Sequence, residues 1–268
     1  MKQKQSKASL KMLSVIVPVF RCKTITRDLK SIEKNVNELN IPFEIICVVD
    51  GKIEEKDDTK ARAKKAENKH IKVYSYPKNM GKGYAVRYGM ARAKGGTIAF
   101  IDAGSDLNSK GIGMALEHMK WYNADIVIGS KRHKASKVNY PLKRRILSAI
   151  VQRATKLFFG LNVSDTQTGL KVFKRKVLED ILPRMVIKRW AFDLEMLSIA
   201  QRRGFIRIYE SPIELIFNDQ SNITYSSILN FAQDYLAIIY RMYILRYYND
   251  QKKDIWEDDK KLKLKFCS

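Results

Sequence analysis

Histidine and cysteine are scarce in this chain, three of each in 268 residues. The histidines (His70, His118, His133) are scattered, and the cysteines (Cys22, Cys47, Cys267) share no ligand spacing. Zinc motifs and an obvious histidine general base are thereby excluded. Cys47 lies inside an apolar run, as expected of a small core residue in a reduced, cytosolic protein. Six prolines and 13 glycines are too few for a disordered or fibrous chain. No uncharged apolar stretch approaches the roughly 18–20 residues of a spanning helix. A secretory signal is also missing, because the short apolar run after "MKQKQSKASLK" soon meets Pro18 and Arg21. The chain is not expected to cross a bilayer.

Positive charge is abundant instead. A formal net charge of +23 implies an anionic partner: nucleic acid, a membrane surface or a phosphorylated substrate. A lysine-rich proteome would give the same total, so position carries more information. From Ile126 to Ser164 there are nine Lys or Arg and no acid. With 45% apolar content, the length suits one large globular domain, with or without an appendage.

Short apolar runs alternate with helix-period segments. Strands are expected at 13–20, 43–49, 71–76, 97–101 and 124–130, with amphipathic helices near 24–39, 57–68, 82–94 and 109–122. Such alternation predicts βαβ units and a mostly parallel sheet covered on both faces. Beyond Ser130 the alternation fails. Helical spacing runs over 144–161 and again over 190–203, and "FIRIYESPIELIF" reads as one or two strands broken at Pro212. An aromatic-rich helix is expected over 225–248, followed by a charged end. The division is a domain over 1–220 and an amphipathic tail over 221–268, facing a membrane surface or an acceptor.

The strand ends carry the chemistry. Pro18 and Phe20 close the first strand and Asp50 the second. "NMGKGYAV", with Asn79, Lys82 and Gly83, follows the third, and "FIDAGSDLNSK" closes the fourth with Asp102 and Asp106. In open α/β sheets these ends line one crevice where ligands bind. The glycine turn is neither a Walker A loop nor a dinucleotide fingerprint, since it lacks the upstream Gly and the Ser or Thr of the first and the third Gly of the second.

This ordered set resembles the inverting family-two glycosyltransferases, which have a single nucleotide-sugar (GT-A type) α/β domain and a DxD metal motif. "SVIVPVF", the Asp after strand two, "GKG" and the acidic strand end all fall in that family's order. So do "VIGSKR", "SDTQTGLKVFKR", "WAFDLEML" and "ESPIEL", which look like the subgroup that loads glucose or mannose onto dolichyl phosphate. The ordered series covers roughly residues 13 to 220. One departure stands out: Gly104 occupies the place of the second DxD acid.

The resemblance implies a role for each residue. Asp102 and Asp106 would hold Mg²⁺ or Mn²⁺ together with the donor diphosphate, since these ions take oxygen ligands and use few protein carboxylates. Pro18, Phe20, Asp50, Asn79 and Gly83 would line the donor site, with Asp50 on the nucleoside. Lys82 would meet the diphosphate or simply stand in solvent at its helix start. Lys131, Arg144 and Arg145 would receive phosphates at the mouth, and Gln167 would face the sugar, with "DTQ" favouring glucose. Asp193, in "FDLE", holds the position of the family's general base; a helix N-terminal acid favoured by the dipole is the plain alternative.

The implied function is hexose transfer from a UDP- or GDP-linked donor to a polyprenyl phosphate, by an enzyme held peripherally on the cytoplasmic face of a membrane. A family-two enzyme acting on a polysaccharide or glycolipid hydroxyl shares every donor motif. A nucleic-acid-binding protein fits the charge but not the pattern, because no aromatic stacking platform is interleaved with the basic residues.

Overall fold

A computed structural model of the chain describes residues 12–51, 57–104, 107–136, 142–189, 191–215 and 225–249, with the backbone alone at 142–148, 150 and 225–228. The first half alternates as its apolar runs require. Strand β1 (Leu13–Val19) leads to α1 (Ile25–Asn37), β2 (Phe43–Val49) to α2 (Thr59–Lys64), and β3 (Ile71–Ser75) to α3 (Lys82–Met90). Then β4 (Thr97–Ile101) leads to α4 (Gly111–Trp121), and β5 (Ile126–Ser130) to α5 (Leu142–Phe159). The second half supplies β6 (Leu170–Lys174), α6 (Arg175–Ile181), α7 (Phe192–Arg202), β7 (Ile208–Pro212) and α8 (Tyr225–Ile239).

Among the described residues seven strands join one sheet in the order β3-β2-β1-β4-β6-β5-β7. Its period-2 side chains build two cores. Val15, Val17 and Val19 of β1 face α1 and α4, and α1 presents Ile25, Leu29, Ile32 and Val36 at helical spacing. Ile16 and Phe100 point the other way, onto α3, α6 and α7.

Strand β6 is a finding that the sequence pattern did not yield. The chain "LKVFK" is short and bears Lys at two of five positions, so it lacks the apolar signature of the other strands. It nevertheless runs antiparallel between β4 and β5 in the middle of the sheet. Because it runs backwards, its beginning lies at the carboxyl edge of its neighbours.

The crevice has a cause in the pairing. Strand β1 stays paired with β2 through Val19↔Val49, but its ladder with β4 ends at Ile16↔Phe100. Pro18 falls beyond that ladder, where its missing N–H costs no bond to β4. Strands β1 and β4 therefore part at the point where strand order reverses, the usual ligand crevice of such sheets.

The helix expected at the C-terminus runs as α8 and continues as a π-helical segment, Tyr240–Ile244. Ile238, Met242 and Tyr248 from this region are buried in the core with α7. Residues 221–224 and 250–268 of the expected tail lie outside the described residues. Among the described residues no helix is long and apolar enough to cross a membrane.

Candidate active site

A cleft of about 610 Å³ opens where β1 and β4 part, and Pro18, Phe20, Asp50, Asn79, Lys82 and Asp102 all line it. Six of the seven residues expected at the donor site therefore share one wall system. The seventh, Gly83, is buried behind it, with no room for a side chain because a Cβ would meet Phe192 Cβ at 2.7 Å.

Asp50 sits at the end of β2 and is almost fully buried. Its Oδ1 accepts the Tyr76 hydroxyl and the Met80 N–H, both at 2.8 Å. Its Oδ2 accepts Asn79 Nδ2 at 2.9 Å and the Gly81 N–H at 3.0 Å. Four donors from the chain occupy this carboxylate, so its visible work is to fold the 76–81 turn that starts α3. The proximity of that carboxylate, after burial itself, pushes the Tyr76 hydroxyl pKa up.

That turn delivers Lys82 to the end of β4. Lys82 Nζ donates to Asp102 Oδ2 at 2.8 Å. It lies equally close to Oδ1, so the ammonium faces both carboxylate oxygens. Burial alone would lower the Lys82 ammonium, yet Asp102 and Asp193 outweigh it and hold its pKa above the ordinary lysine value. Behind Asp102 stands Gly169, whose backbone oxygen accepts the Asp102 N–H at 2.9 Å. A Cβ on Gly169 would lie 2.1 Å from Asp102 Oδ2, so only glycine lets the carboxylate occupy this place.

Gly104 explains the missing second acid. Its φ is +113°, while a Cβ there would meet nothing within 4 Å. The backbone conformation, not crowding, demands glycine. Its N–H donates to Asp28 Oδ2 at 3.3 Å, which anchors the loop to α1.

Asp193 lies deeper, on the first turn of α7. Its Oδ1 accepts Lys171 Nζ at 2.6 Å, and Lys171 also donates to the Thr168 carbonyl at 2.7 Å. Both side chains are buried. Burial pushes the Asp193 carboxyl above, and the Lys171 ammonium below, their ordinary values, while each partner opposes the shift of the other. Glu195, two residues on, accepts the Val186 and Ile187 N–H groups and the Tyr248 hydroxyl, so it holds the chain beneath the cleft.

At the mouth stand Lys131 and Gln167, as expected, joined by Arg189, which sequence reasoning missed. Nothing in the local pattern of "VIKRW" separates Arg189 from its basic neighbours. Lys171 and Gly169 were also overlooked as site residues, because the short strand that carries Lys171 has no pattern that marks it as buried. Arg144 and Arg145 lie on α5, where only the backbone is described, and Asp106 lies outside the described residues.

Among the described residues no three His, Cys, Asp or Glu side chains gather to hold a metal alone. The Asp102 carboxylate, an anionic oxygen pair at the cleft whose side-chain partner is the Lys82 ammonium, nevertheless fits a hard divalent cation whose remaining ligands come from a substrate phosphate.

Comparison with known proteins places this geometry. The chain is 30% identical to the dolichyl-phosphate beta-glucosyltransferase of Dictyostelium discoideum, over 85% of this chain and 74% of that one. It is 31% identical to the protein of the same name from Saccharomyces cerevisiae, over 68% of this chain and 58% of that one. A solved glucosyl-3-phosphoglycerate synthase from Mycobacterium tuberculosis, in complex with Mn²⁺, uridine diphosphate and phosphoglyceric acid, shares the fold with a TM-score of 0.62. That likeness spans 86% of this chain and 78% of that one at 17% identity. The glycosyl transferase family 2 description matches residues 14–182, the stretch that carries β1, the Asp50 turn, the Lys82–Asp102 pair and β6. This chain belongs to glycosyl transferase family 2.

Proposed function

We propose that this enzyme moves a hexose from a nucleoside diphosphate sugar to a polyprenyl phosphate, with inversion at the anomeric carbon. The observation that carries the choice of acceptor is Asp193, buried and engaged by Lys171 rather than free in the cleft. A sugar hydroxyl has to lose a proton to a base as it attacks. A phosphate monoester is largely a dianion at pH 7, with a second pKa near ~6, and attacks without one. The two relatives named above as dolichyl-phosphate beta-glucosyltransferases favour the same acceptor class, and glucose as the transferred sugar.

In this reading Asp102, with Asp106, would hold Mg²⁺ or Mn²⁺. The bound ion would stabilise charge on the leaving diphosphate. The chain's own residues do the rest. Lys82 reaches from the start of α3 to the diphosphate and neutralises its developing charge. The Asp50 turn fixes the position of Lys82, and Gln167 orients the sugar. Lys131 and Arg189, on the open side, take the acceptor phosphate together with Arg144 and Arg145.

Purified enzyme given UDP-glucose or GDP-mannose, Mn²⁺ and a short-chain polyprenyl phosphate tests this. Glycosyl polyprenyl phosphate should form, and Asp193→Asn, which keeps shape and removes basicity, should lose less than ~10²-fold in turnover. Its rate should still rise near pH ~6 with the acceptor's own ionisation. A loss of ~10³-fold with donor affinity intact, and product on a hydroxyl acceptor, would move the enzyme to the hydroxyl-acceptor class.

Peripheral membrane contact is part of the proposal. Leu157 and Phe158 at the end of α5, and Leu236, Tyr240, Tyr243 and Ile244 at the C-terminus, are exposed. The two groups meet, since the Tyr243 hydroxyl donates to the Phe158 carbonyl and the Phe158 and Tyr235 rings lie 6.5 Å apart. Arg153, Lys156 and Arg246 are exposed in the same segments. Apolar insertion with about 1 kcal/mol from each basic residue near an anionic surface would seat the enzyme there. Binding to anionic liposomes, weakened by high salt and by Leu236→Asp with Ile244→Asp, is the expected result. Wild-type protein that stays in solution with both anionic and neutral liposomes would end the membrane proposal.

A further inference from the structure

We infer that Lys82 is a tethered counter-cation that occupies the Asp102 carboxylate until a nucleotide diphosphate draws it away, so that the divalent metal binds after the nucleotide. The inference rests on the donor and metal reading above and adds an order to it. Lys82 Nζ lies 2.8 Å from both carboxylate oxygens of Asp102, on the edge where a cation would sit. The carboxylate is held in position, because its N–H is tied to the Gly169 carbonyl and its Oδ2 fills the space a Gly169 side chain would need. An ammonium and a divalent cation repel strongly at such separations, so one carboxylate edge serves one or the other.

Lys82 has somewhere to go. Its side chain is 17% exposed, and it borders the cleft on one side. On the other side are the Phe100 and Phe192 rings, whose centroids lie 5.9 and 5.7 Å from Nζ. Asp193 is a poorer seat, since Lys171 already donates to its Oδ1 at 2.6 Å. The flexible four-carbon stem lets the ammonium turn into the cleft when an anion arrives. A diphosphate then does two things at once: it removes the competing cation and it supplies further oxygen ligands. Nucleotide and metal affinities should therefore be coupled, and equally so in both directions.

Free Mn²⁺ measured by electron paramagnetic resonance during titration tests this without turnover. Wild type, Lys82→Met and Lys82→Arg are compared alone and with saturating UDP or GDP. For wild type, nucleotide should tighten Mn²⁺ binding at least about 10-fold. Lys82→Met should bind Mn²⁺ about 10-fold more tightly than wild type without nucleotide, and its coupling should fall by about the same factor, with the part supplied by the phosphate oxygens remaining. Lys82→Arg should behave as wild type. Lys82→Gln, checked by circular dichroism, replaces the Met variant if that one fails to fold. The inference is overturned, with the metal reading intact, if Lys82→Met is no tighter than wild type alone while nucleotide-loaded wild type binds Mn²⁺. If neither nucleotide yields Mn²⁺ binding in wild type, the metal reading falls and the inference with it.

Discussion

Asp102→Ala is expected to bring sugar transfer below detection and to abolish the effect of Mn²⁺ on nucleotide binding. Asp102 follows the last residue of β4, lines the cleft and presents a carboxylate whose side-chain partner is Lys82. Gly104 leaves no carboxylate between it and Asp106, so few protein ligands share the load. Removing a preorganised charge from a site of this kind costs roughly 10²–10³-fold, and loss of the metal adds to it. Gly169→Ala should be nearly as damaging, because the new Cβ would lie 2.1 Å from Asp102 Oδ2 and 2.4 Å from Cγ. The two changes should not add. Asp102→Ala removes the two nearest of the three clashing atoms and leaves the Cβ, 2.9 Å away, as a milder clash. The double variant should therefore be less destabilised than the sum of the single ones, as contacting residues generally show. Urea unfolding of the four proteins, together with Mn²⁺-dependent UDP binding, measures this. Full activity of Gly169→Ala would remove the proposed constraint on Asp102.

Lys171→Met should give the largest loss of stability, about 3–5 kcal/mol. Lys171 is wholly buried in β6, and its ammonium is the partner of Asp193. Without it, the buried carboxylate loses its hydrogen-bonded partner and keeps only the weaker influence of the Lys82 ammonium. Burial, already the largest influence on Asp193, would then hold its pKa far above the unfolded value. A raised folded pKa means that the neutral acid is tolerated and the anion is not. The penalty is therefore small below the unfolded pKa of about 3.9 and grows as pH rises toward the folded one. Chemical unfolding at pH 5 and pH 8 should show the larger deficit at pH 8. Lys171→Met combined with Asp193→Leu should regain most of the stability, since an apolar pair of similar volume often replaces a buried ion pair at little cost. A double variant no more stable than Lys171→Met would mean that the pair is held for a reason other than charge compensation.

The βαβ alternation, the strand ends and most of the cleft wall were legible in the residue pattern. Those signals are local: β-branched runs such as "LSVIVPV" bury on both faces, and each ends where a polar or glycine-rich turn must begin. Pro18, Phe20, Asp50, Asn79, Lys82 and Asp102 were legible because each stands at such an end, and parallel strands bring their ends to one edge. Tertiary structure alone decided how those residues are used. Four chain donors commit Asp50 to shaping a turn, which depends on a loop 26 to 31 residues away. Reversal of β6 carries Gln167 and Gly169 to Asp102, and a five-residue strand with two lysines gives no period from which to read it. Asp193 looked like a base at a helix start, and only its burial against Lys171, 22 residues away, reveals an ion pair. Periodicity reports which face of an element is buried, whereas pairing between distant elements is set by packing that no local pattern encodes.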